Sequence, residues 1–191
     1  NVTVNTFELQ DLDGNNVDGS SWNAYKSGGE ARKAVFEFTG FEHLANEAVV
    51  ILADGNVIED KTVSSDGKIT LTVSKAARVH AGLRYICDIE TLDIESPGGT
   101  IQGMLKSIPN VTLRFLKSRG FFIKPDGGEW TEPAQREDED WGEPTNLLTG
   151  DQMVDLDSGW VTSGRFQIRQ PYPLPLTLLA AIPTVETEEL N

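Results

Sequence analysis

Apolar residues recur at every second position in several short stretches of this chain, and no stretch carries a sustained apolar stripe at helical spacing. In residues 69–75, ITLTVSK, Ile69, Leu71 and Val73 share one face, and the threonines between them share the other. Because successive side chains of a strand point to opposite faces of a sheet, a period of two predicts half-buried strands. The chain is therefore predicted to be all-β, with little helix.

Asp-Gly pairs separate several of these stretches and predict tight turns. Residues 47–63 alternate on both sides of Asp54-Gly55, and a second pair, Asp66-Gly67, precedes the ITLTVSK stretch. Asp and Gly adopt the positive φ angles of two-residue hairpin turns at little cost, so residues 47–63 are predicted to form a hairpin. Strands at about ten-residue spacing indicate two small β-barrel or sandwich units.

A chain of 191 residues can hold one substantial core or two small ones. We expect an N-terminal strand and linker at 1–33, a small β-barrel or sandwich at 34–97, and a second β unit at 98–191. The Pro/Gly-rich break at residues 95–104, ESPGGTIQGM, is the reason for the second boundary. Residues 20–34 and 100–108 are the two stretches predicted to form short helices.

The second unit is expected to carry a long acidic loop at 125–160 and to close with a C-terminal strand. The loop region has eleven acids, a single Arg and little periodicity; segments of such length without structure usually have a function or become ordered against a partner. Pro171, Pro173 and Pro175 cannot donate to a sheet, which predicts an edge or a sheet-crossing turn. Residues 176–182, LTLLAAI, are then predicted to be a buried strand.

The charge of the chain limits its partners. Thirty acidic residues against 16 basic ones give a net charge of −14. Nucleic-acid-binding faces need clustered Lys and Arg, and anionic lipid surfaces repel acidic chains, so neither partner is expected to be bound. The longest apolar run, Leu174 to Ile182, is interrupted by Pro175 and is much shorter than the roughly 20 residues of a membrane helix.

The residue patterns that usually indicate catalysis or metal binding are missing. His43 and His80 lie outside any close ligand pattern and are expected at turns or strand ends. Cys87, the one cysteine, lies in an alternating stretch and is expected to be buried as a small apolar residue. The acidic run at 136–143 lacks the ligand spacing of a calcium loop. We predict no catalytic residue, no metal ligand and no cofactor.

Three tryptophans near the acidic region, Trp130, Trp141 and Trp160, are candidate partner contacts. Tryptophans stack on sugar rings and anchor protein partners, and they also pin loops onto their own sheet. One alternative function is therefore a β-sandwich adhesion module that binds a host-surface glycan. An acidic hydrolase is another alternative, because two carboxylates about 5–10 Å apart suffice for glycoside hydrolysis and a sequence does not reveal that distance.

The order of short motifs resembles the nozzle, or tail tubular B, proteins of short-tailed phages and prophages. The similar pieces are Gly40 with His43 and Leu44, Val50 to Gly55, Thr62-Val63, Gly67 to Leu71, Gly82 to Tyr85, Thr91-Leu92, 98–120, LLTG at 147–150, and PYPLPLTLLAAIPTVE at 171–186. Together they span residues 34 to 186, about four fifths of the chain. The chain departs from the family pattern at Ala45-Asn46, where the family usually has a glycine; Asn tolerates the left-handed backbone that such a turn needs.

This resemblance implies a non-enzymatic structural protein of the virion tail, assembled in the cytoplasm of the host bacterium. Such proteins form homo-oligomeric rings, typically sixfold, that contact other tail proteins and surround the conduit through which DNA passes without specific binding. The family offers no catalytic residues to transfer. The chain begins at Asn1 and not at a methionine, which we interpret as the start of one region of such a protein.

Overall fold

The computed structural model describes residues 2–3, 6–7, 15, 18, 33–136, 138–139 and 143–189. Its contacts divide the chain into two compact units, Asn1–Lys33 and Ala34–Asn191. In the first unit, Val2–Thr3 (β1) pairs antiparallel with Thr6–Phe7 (β2). The helix predicted over 20–34 lies almost wholly outside the described residues.

The second unit is built of antiparallel strands, which confirms the all-β prediction. A 3-10 turn, Glu42–Leu44, lies between two of these strands. The strands are Glu37–Phe38 (β3), Ala48–Ala53 (β4), Asn56–Thr62 (β5), Ile69–Thr70 (β6), Val79–Leu83 (β7), Cys87–Glu90 (β8), Leu105–Ser118 (β9), Phe122–Pro125 (β10), Leu148–Asp155 (β11), Phe166–Gln170 (β12) and Leu178–Glu188 (β13).

Four small sheets surround two separate apolar clusters. Sheets β5-β4-β7 and β3-β6 enclose the first cluster, in which alternate residues of β4, Val49, Ile51 and Ala53, are buried. Sheets β11-β9-β13 and β10-β12-β8 contribute to the second cluster, which contains Phe115 and Phe121 with ring centroids 4.7 Å apart. Strand β8 pairs with β12 and so belongs to the second set of sheets, although it precedes the boundary expected near residue 97.

The hairpin predicted at the Asp54-Gly55 pair is confirmed. Strands β4 and β5 flank the pair, and Asp54 and Gly55 have φ angles of 46° and 89°. The Asp54 carboxylate also accepts hydrogen bonds from the backbone N–H groups of Ala77 and Arg78, each at 2.8 Å. The turn therefore positions the segment that enters β7. Asn46 has a φ of 66°, as expected for the turn before β4.

Several local predictions are wrong for physical reasons. Residues 100–108 form no helix, because β9 begins at Leu105 and its side chains complete the second core. The loop expected at 125–160 contains strand β11, in which Val154 is buried, while Asp151 and Asp155 on the other face conceal the period of two. Acidic side chains on a solvent face are compatible with a strand because only the opposite face is buried.

Burial was also overestimated at three apolar positions. Val73 is 90% exposed because strand β6 ends at Thr70 and Leu71 is the last residue of the alternating stretch that is buried. Cys87 is exposed on β8. Strand β13 is not buried on both sides, since Leu178 and Ala181 pack against the second core while Leu179 is 58% exposed.

The proline-rich connection between β12 and β13 crosses from one sheet to another, as predicted. Its side chains alternate between two cavities. Pro171 and Pro173 line a cavity of about 220 Å³ against β4 and β7, whereas Tyr172 and Leu174 line a cavity of about 400 Å³ beside Gly120. Gly120 has a φ of 68°, and a Cβ atom there would lie 2.6 Å from Leu174 Cδ1, so its backbone conformation and the close approach of this connection both favour glycine in the β9–β10 turn.

Replacing Gly55 with Ala tests how tightly the hairpin turn is held. The positive φ of this position costs a residue with a Cβ about 1–2 kcal/mol, and the added Cβ would lie 2.9 Å from the Pro144 ring. We expect Gly55→Ala to lower the free energy of unfolding by about 2–4 kcal/mol in urea titrations. Gly159→Ala is the matched control, because its Cβ would meet nothing within 4 Å; an equal loss in both variants would contradict the assignment.

The break at residues 95–104 is organised by one carboxylate. Glu95 Oε1 accepts hydrogen bonds from the backbone N–H groups of Ser96 and Ile101, and Glu95 Oε2 accepts one from the hydroxyl of Thr100. These bonds lower the pKa of Glu95 from 4.5 to about 2, the bond from Ile101 contributing most. The charged form is therefore the one that holds the loop together.

The loop should consequently loosen in acid. Because the folded pKa lies below the unfolded one, the stabilisation is complete above about pH 4.5 and is lost as the pH falls toward 2. Hydrogen exchange at residues 96–102, corrected for the intrinsic rate, should report faster opening across this window. Glu95→Gln should show faster opening already at neutral pH and little further change; an unaltered pH dependence in that variant would contradict the role of Glu95.

Candidate interaction surface

The outer face of sheet β11-β9-β13 carries an exposed apolar row. Thr112 of β9 is opposite Met153 of β11 on one side and Ile182 of β13 on the other. Opposed residues of an antiparallel sheet project to the same face, and Met153 and Ile182 are 65% and 51% exposed. The inward residues on either side of Thr112, Val111 and Leu113, are buried in the second core. The alternation of β9 therefore places this row on the solvent side.

The rows on either side of it are polar, and one is an ion pair. Arg114 donates from Nε and Nη2 to the two carboxylate oxygens of Asp151, at 2.6 and 2.8 Å. This bidentate contact lowers the pKa of Asp151 and raises the pKa of Arg114. On the other side, the Thr184 hydroxyl donates to Asn110 Oδ1 at 2.7 Å. Asp155 of β11, opposite Asn110, adds an exposed carboxylate on that side. The apolar row thus lies between a neutralised ion pair and a polar row with one acidic residue, and it contributes no charge itself.

The two edges of this sheet are open. Strands β11 and β13 are its outer strands, and within the described part of the chain no further strand pairs with either. Unpaired backbone N–H and C=O groups along an edge can accept a strand from another chain. Pro183 removes one donor from β13, and Glu186 and Glu188 give its last residues a negative charge. Both features restrict which strands can add to that edge.

The two candidate tryptophans that the structure describes, Trp130 and Trp160, lie at separate places. Trp130 lies over the guanidinium of Arg169 at 4.4 Å, and Arg169 donates to both oxygens of Asp88 at 2.7 and 2.8 Å. That bidentate contact lowers the pKa of Asp88. Trp130 is therefore held on sheet β10-β12-β8.

Trp160 lies elsewhere. It is 46% exposed, next to Val161, which bridges to Lys106 of β9. Trp141 is outside the described residues, and no ring contact joins Trp130 to Trp160 in the part of the chain that is described. The role of these three residues as partner contacts stays a prediction.

The other residues considered for chemistry are dispersed. His43 lies in the 3-10 turn, His80 on β7 and Cys87 on β8, and each is exposed. Over the described ranges, no group of three or more His, Cys, Asp or Glu residues is placed to hold a metal ion. None of the described helical segments is long and apolar enough to cross a membrane.

The sequence did not predict Met153 and Ile182 as members of an exposed apolar row. The signal for Met153 was the alternation in residues 148–155, LTGDQMVD, which the surrounding acids concealed. For Ile182 the signal was misleading, since a run of seven apolar or neutral residues suggests burial on both faces. An edge strand next to one core needs only one buried face, which is why half of that run is exposed.

No protein-family model matches the chain, and a search of curated proteins finds no similar sequence.

The contrast between Trp130 and Trp160 is testable by substitution. Trp130→Ala removes a half-buried ring and its contact with a guanidinium, and we expect a loss of about 1–2 kcal/mol in the free energy of unfolding. Trp160→Ala removes a more exposed ring and should change it by at most about 0.5 kcal/mol. Urea titrations of both variants measure the two losses in the free energy of unfolding. A larger loss in Trp160→Ala would contradict the conclusion that Trp130 is the better packed of the two rings.

Proposed function

We propose that this protein is a non-enzymatic structural component of a bacteriophage or prophage tail, of the nozzle or tail tubular type. In this role, copies of the chain form a ring around the DNA conduit in the virion tail and contact other tail proteins. The motif order over residues 34 to 186 suggests the family. The observation that carries the proposal is the apolar row of sheet β11-β9-β13 between two open sheet edges.

The occupant that we assign to this surface is a second copy of the chain. A chain with a charge of −14 is repelled by its own copies over most of its surface. Contacts between copies are then least costly where the surface is locally neutral. The row Met153–Thr112–Ile182 carries no charge itself and has Arg114 already paired to Asp151 on one side, so Asp155 on the other side is the carboxylate that a contact here must accommodate. Its apolar side chains provide the burial that association needs.

The acidity of the chain suits a conduit for DNA. Six copies, each with a charge of −14, would carry −84 in total. A negative wall repels phosphates and prevents the adhesion that clustered Lys and Arg would cause. Some of the basic residues are already engaged in ion pairs, with Arg114, Arg165 and Arg169 each bound to an aspartate. These three pairs reduce the number of basic side chains that DNA phosphates could contact.

Replacing Ile182 with Lys tests the assembly. We expect the purified chain to form discrete oligomers by size-exclusion chromatography with light scattering, with rings visible by negative-stain electron microscopy. Ile182→Lys adds a charge to the apolar row and should shift the population toward monomer, with an unfolding midpoint close to that of the parent because the side chain is half exposed. Val73→Lys, which adds the same charge at a 90% exposed position, is the matched control.

A parent chain that remains monomeric would contradict the proposal, as would oligomers that are insensitive to Ile182→Lys. Oligomers lost equally in both variants would show that net charge, and not this surface, controls association.

A further inference from the structure

Residues 83–92, LRYICDIETL, carry the densest group of exposed large apolar side chains in the described part of the chain. Each is at least 42% exposed, and they are Leu83, Tyr85, Ile86, Ile89 and Leu92. The stretch contains β8 and the end of β7, which are outer strands of two different sheets. Over the described ranges no further strand pairs with either of them. Residues 83–92 are called the exposed run below.

Each charged residue of the exposed run is in an ion pair with a residue outside it. The pairs are Arg84–Glu59 at 3.0 Å, Asp88–Arg169 at 2.7 Å and Glu90–Arg165 at 3.4 Å. The run therefore presents uncharged side chains between neutralised pairs. In a chain with a net charge of −14, such a stretch is, like the apolar row, a place where two copies can approach each other at low electrostatic cost.

A groove of about 220 Å³ adjoins the exposed run. Its lining includes Leu83 and Tyr85 of the run and the prolines Pro171 and Pro173. Gly82 also lines it, and a Cβ atom there would meet nothing within 4 Å, so the missing side chain keeps the groove open. The residues that contribute most to protein interfaces are anchors that fill such pockets.

The symmetry of a ring requires a second surface besides the apolar row Met153–Thr112–Ile182. A row that contacted its own equivalent in another copy would make an isologous contact, which closes as a dimer. A ring of more than two copies instead joins two different surfaces of the chain. The row faces away from the second core, and β8 belongs to the other sheet that contributes to this core. The row and the exposed run are therefore separate surfaces, as a head-to-tail contact needs.

We propose that the apolar row of one copy docks onto the exposed run of the next, with Met153 as the anchor in the groove. This contact rests on the proposed ring and names the surface that meets the row in it. Met153 suits the role because it is 65% exposed and its unbranched thioether side chain adapts to irregular pockets. The buried apolar side chains of both surfaces provide the driving force for association.

The charges of the two surfaces are complementary at one point. Asp155, the exposed carboxylate beside the apolar row, needs a cation when the row is covered. Arg84 lines the groove, and its five N–H donors exceed what the single carboxylate of Glu59 can accept. Arg84 can therefore bind Asp155 of the neighbouring copy while it keeps its own ion pair.

Thiol crosslinking tests the contact on the whole chain. Cys87, the one cysteine, lies in the exposed run and is itself exposed, and Ile182→Cys adds a second thiol in the apolar row. If the row of each copy meets the run of the next, a short bismaleimide joins every copy to both of its neighbours. We expect a ladder of covalent dimers, trimers and larger species on denaturing gels, up to the number of copies in the ring.

Three control chains separate this contact from others. The parent has Cys87 alone and should give no ladder, because equivalent residues of two neighbours do not meet in a head-to-tail contact. Ile182→Cys combined with Cys87→Ser should give none for the same reason. Val73→Cys adds a thiol at a 90% exposed position outside both surfaces and should remain mostly uncrosslinked.

Filling the groove tests the role of Met153 as the anchor. Gly82→Val places a side chain in the groove, on a strand that suits a β-branched residue. It should weaken association at least about tenfold in light scattering over a dilution series, with an unfolding midpoint near that of the parent. Gly159→Val is the matched control, because its Cβ also meets nothing within 4 Å and it lies outside both surfaces; it should leave association unchanged.

Failure of this contact is distinguishable from failure of the proposed function. Oligomers that are lost in Ile182→Lys, yet give no ladder through Cys87 or survive Gly82→Val, would overturn the contact and leave the ring proposal standing. Crosslinked dimers alone, formed also in the Cys87→Ser chain, would overturn it too, because the row would then contact its own equivalent. A parent chain that stays monomeric would contradict both.

Discussion

The packing of the proline-rich connection between β12 and β13 is the contact on which the arrangement of the second unit depends. An extended segment that alternates its side chains can contact two surfaces at once, and here Pro171 and Pro173 face β4 and β7 while Tyr172 and Leu174 face the β9–β10 turn. Arg119 reinforces the junction by donating to the carbonyl of Gly55 in the hairpin turn. Prolines suit this role because they need no partner for a backbone N–H and lose little entropy on ordering.

The same junction explains why the two apolar clusters stay separate. Each sheet buries one face in its own cluster, so the first and second sets of sheets have no common layer of interdigitated side chains. The space between them is filled by turns, and turns pack less regularly than strands because their backbones follow no repeat. Cavities of hundreds of Å³ are therefore expected at such a junction.

The local backbone conformation could be predicted from the sequence where one short motif determines it. The Asp54-Gly55 turn and the crossing at Pro171 follow from dihedral preferences, and both are present. The buried face was predictable where the polar positions of a strand are neutral, as at 69–71, where Ile69 and Leu71 are buried and Thr70 is exposed. Strand β11 was missed because aspartates occupy its solvent face, and Val73 was misassigned because a pattern does not show where its strand ends. The cavity could not be predicted, since Arg119, Gln135 and Tyr172 meet through tertiary packing that carries no spacing in the sequence.

Strand β13 also has a mechanical consequence. It is antiparallel to β9 along most of its length, from the pair Leu178–Phe115 to the pair Glu188–Leu105. A pull along the strand axis loads many of these hydrogen bonds at once, whereas a pull across the sheet would break them one after another. Strand β13 should therefore resist a force along its axis better than a force across the sheet. The direction of an applied force would strongly affect the force at which β13 separates from β9.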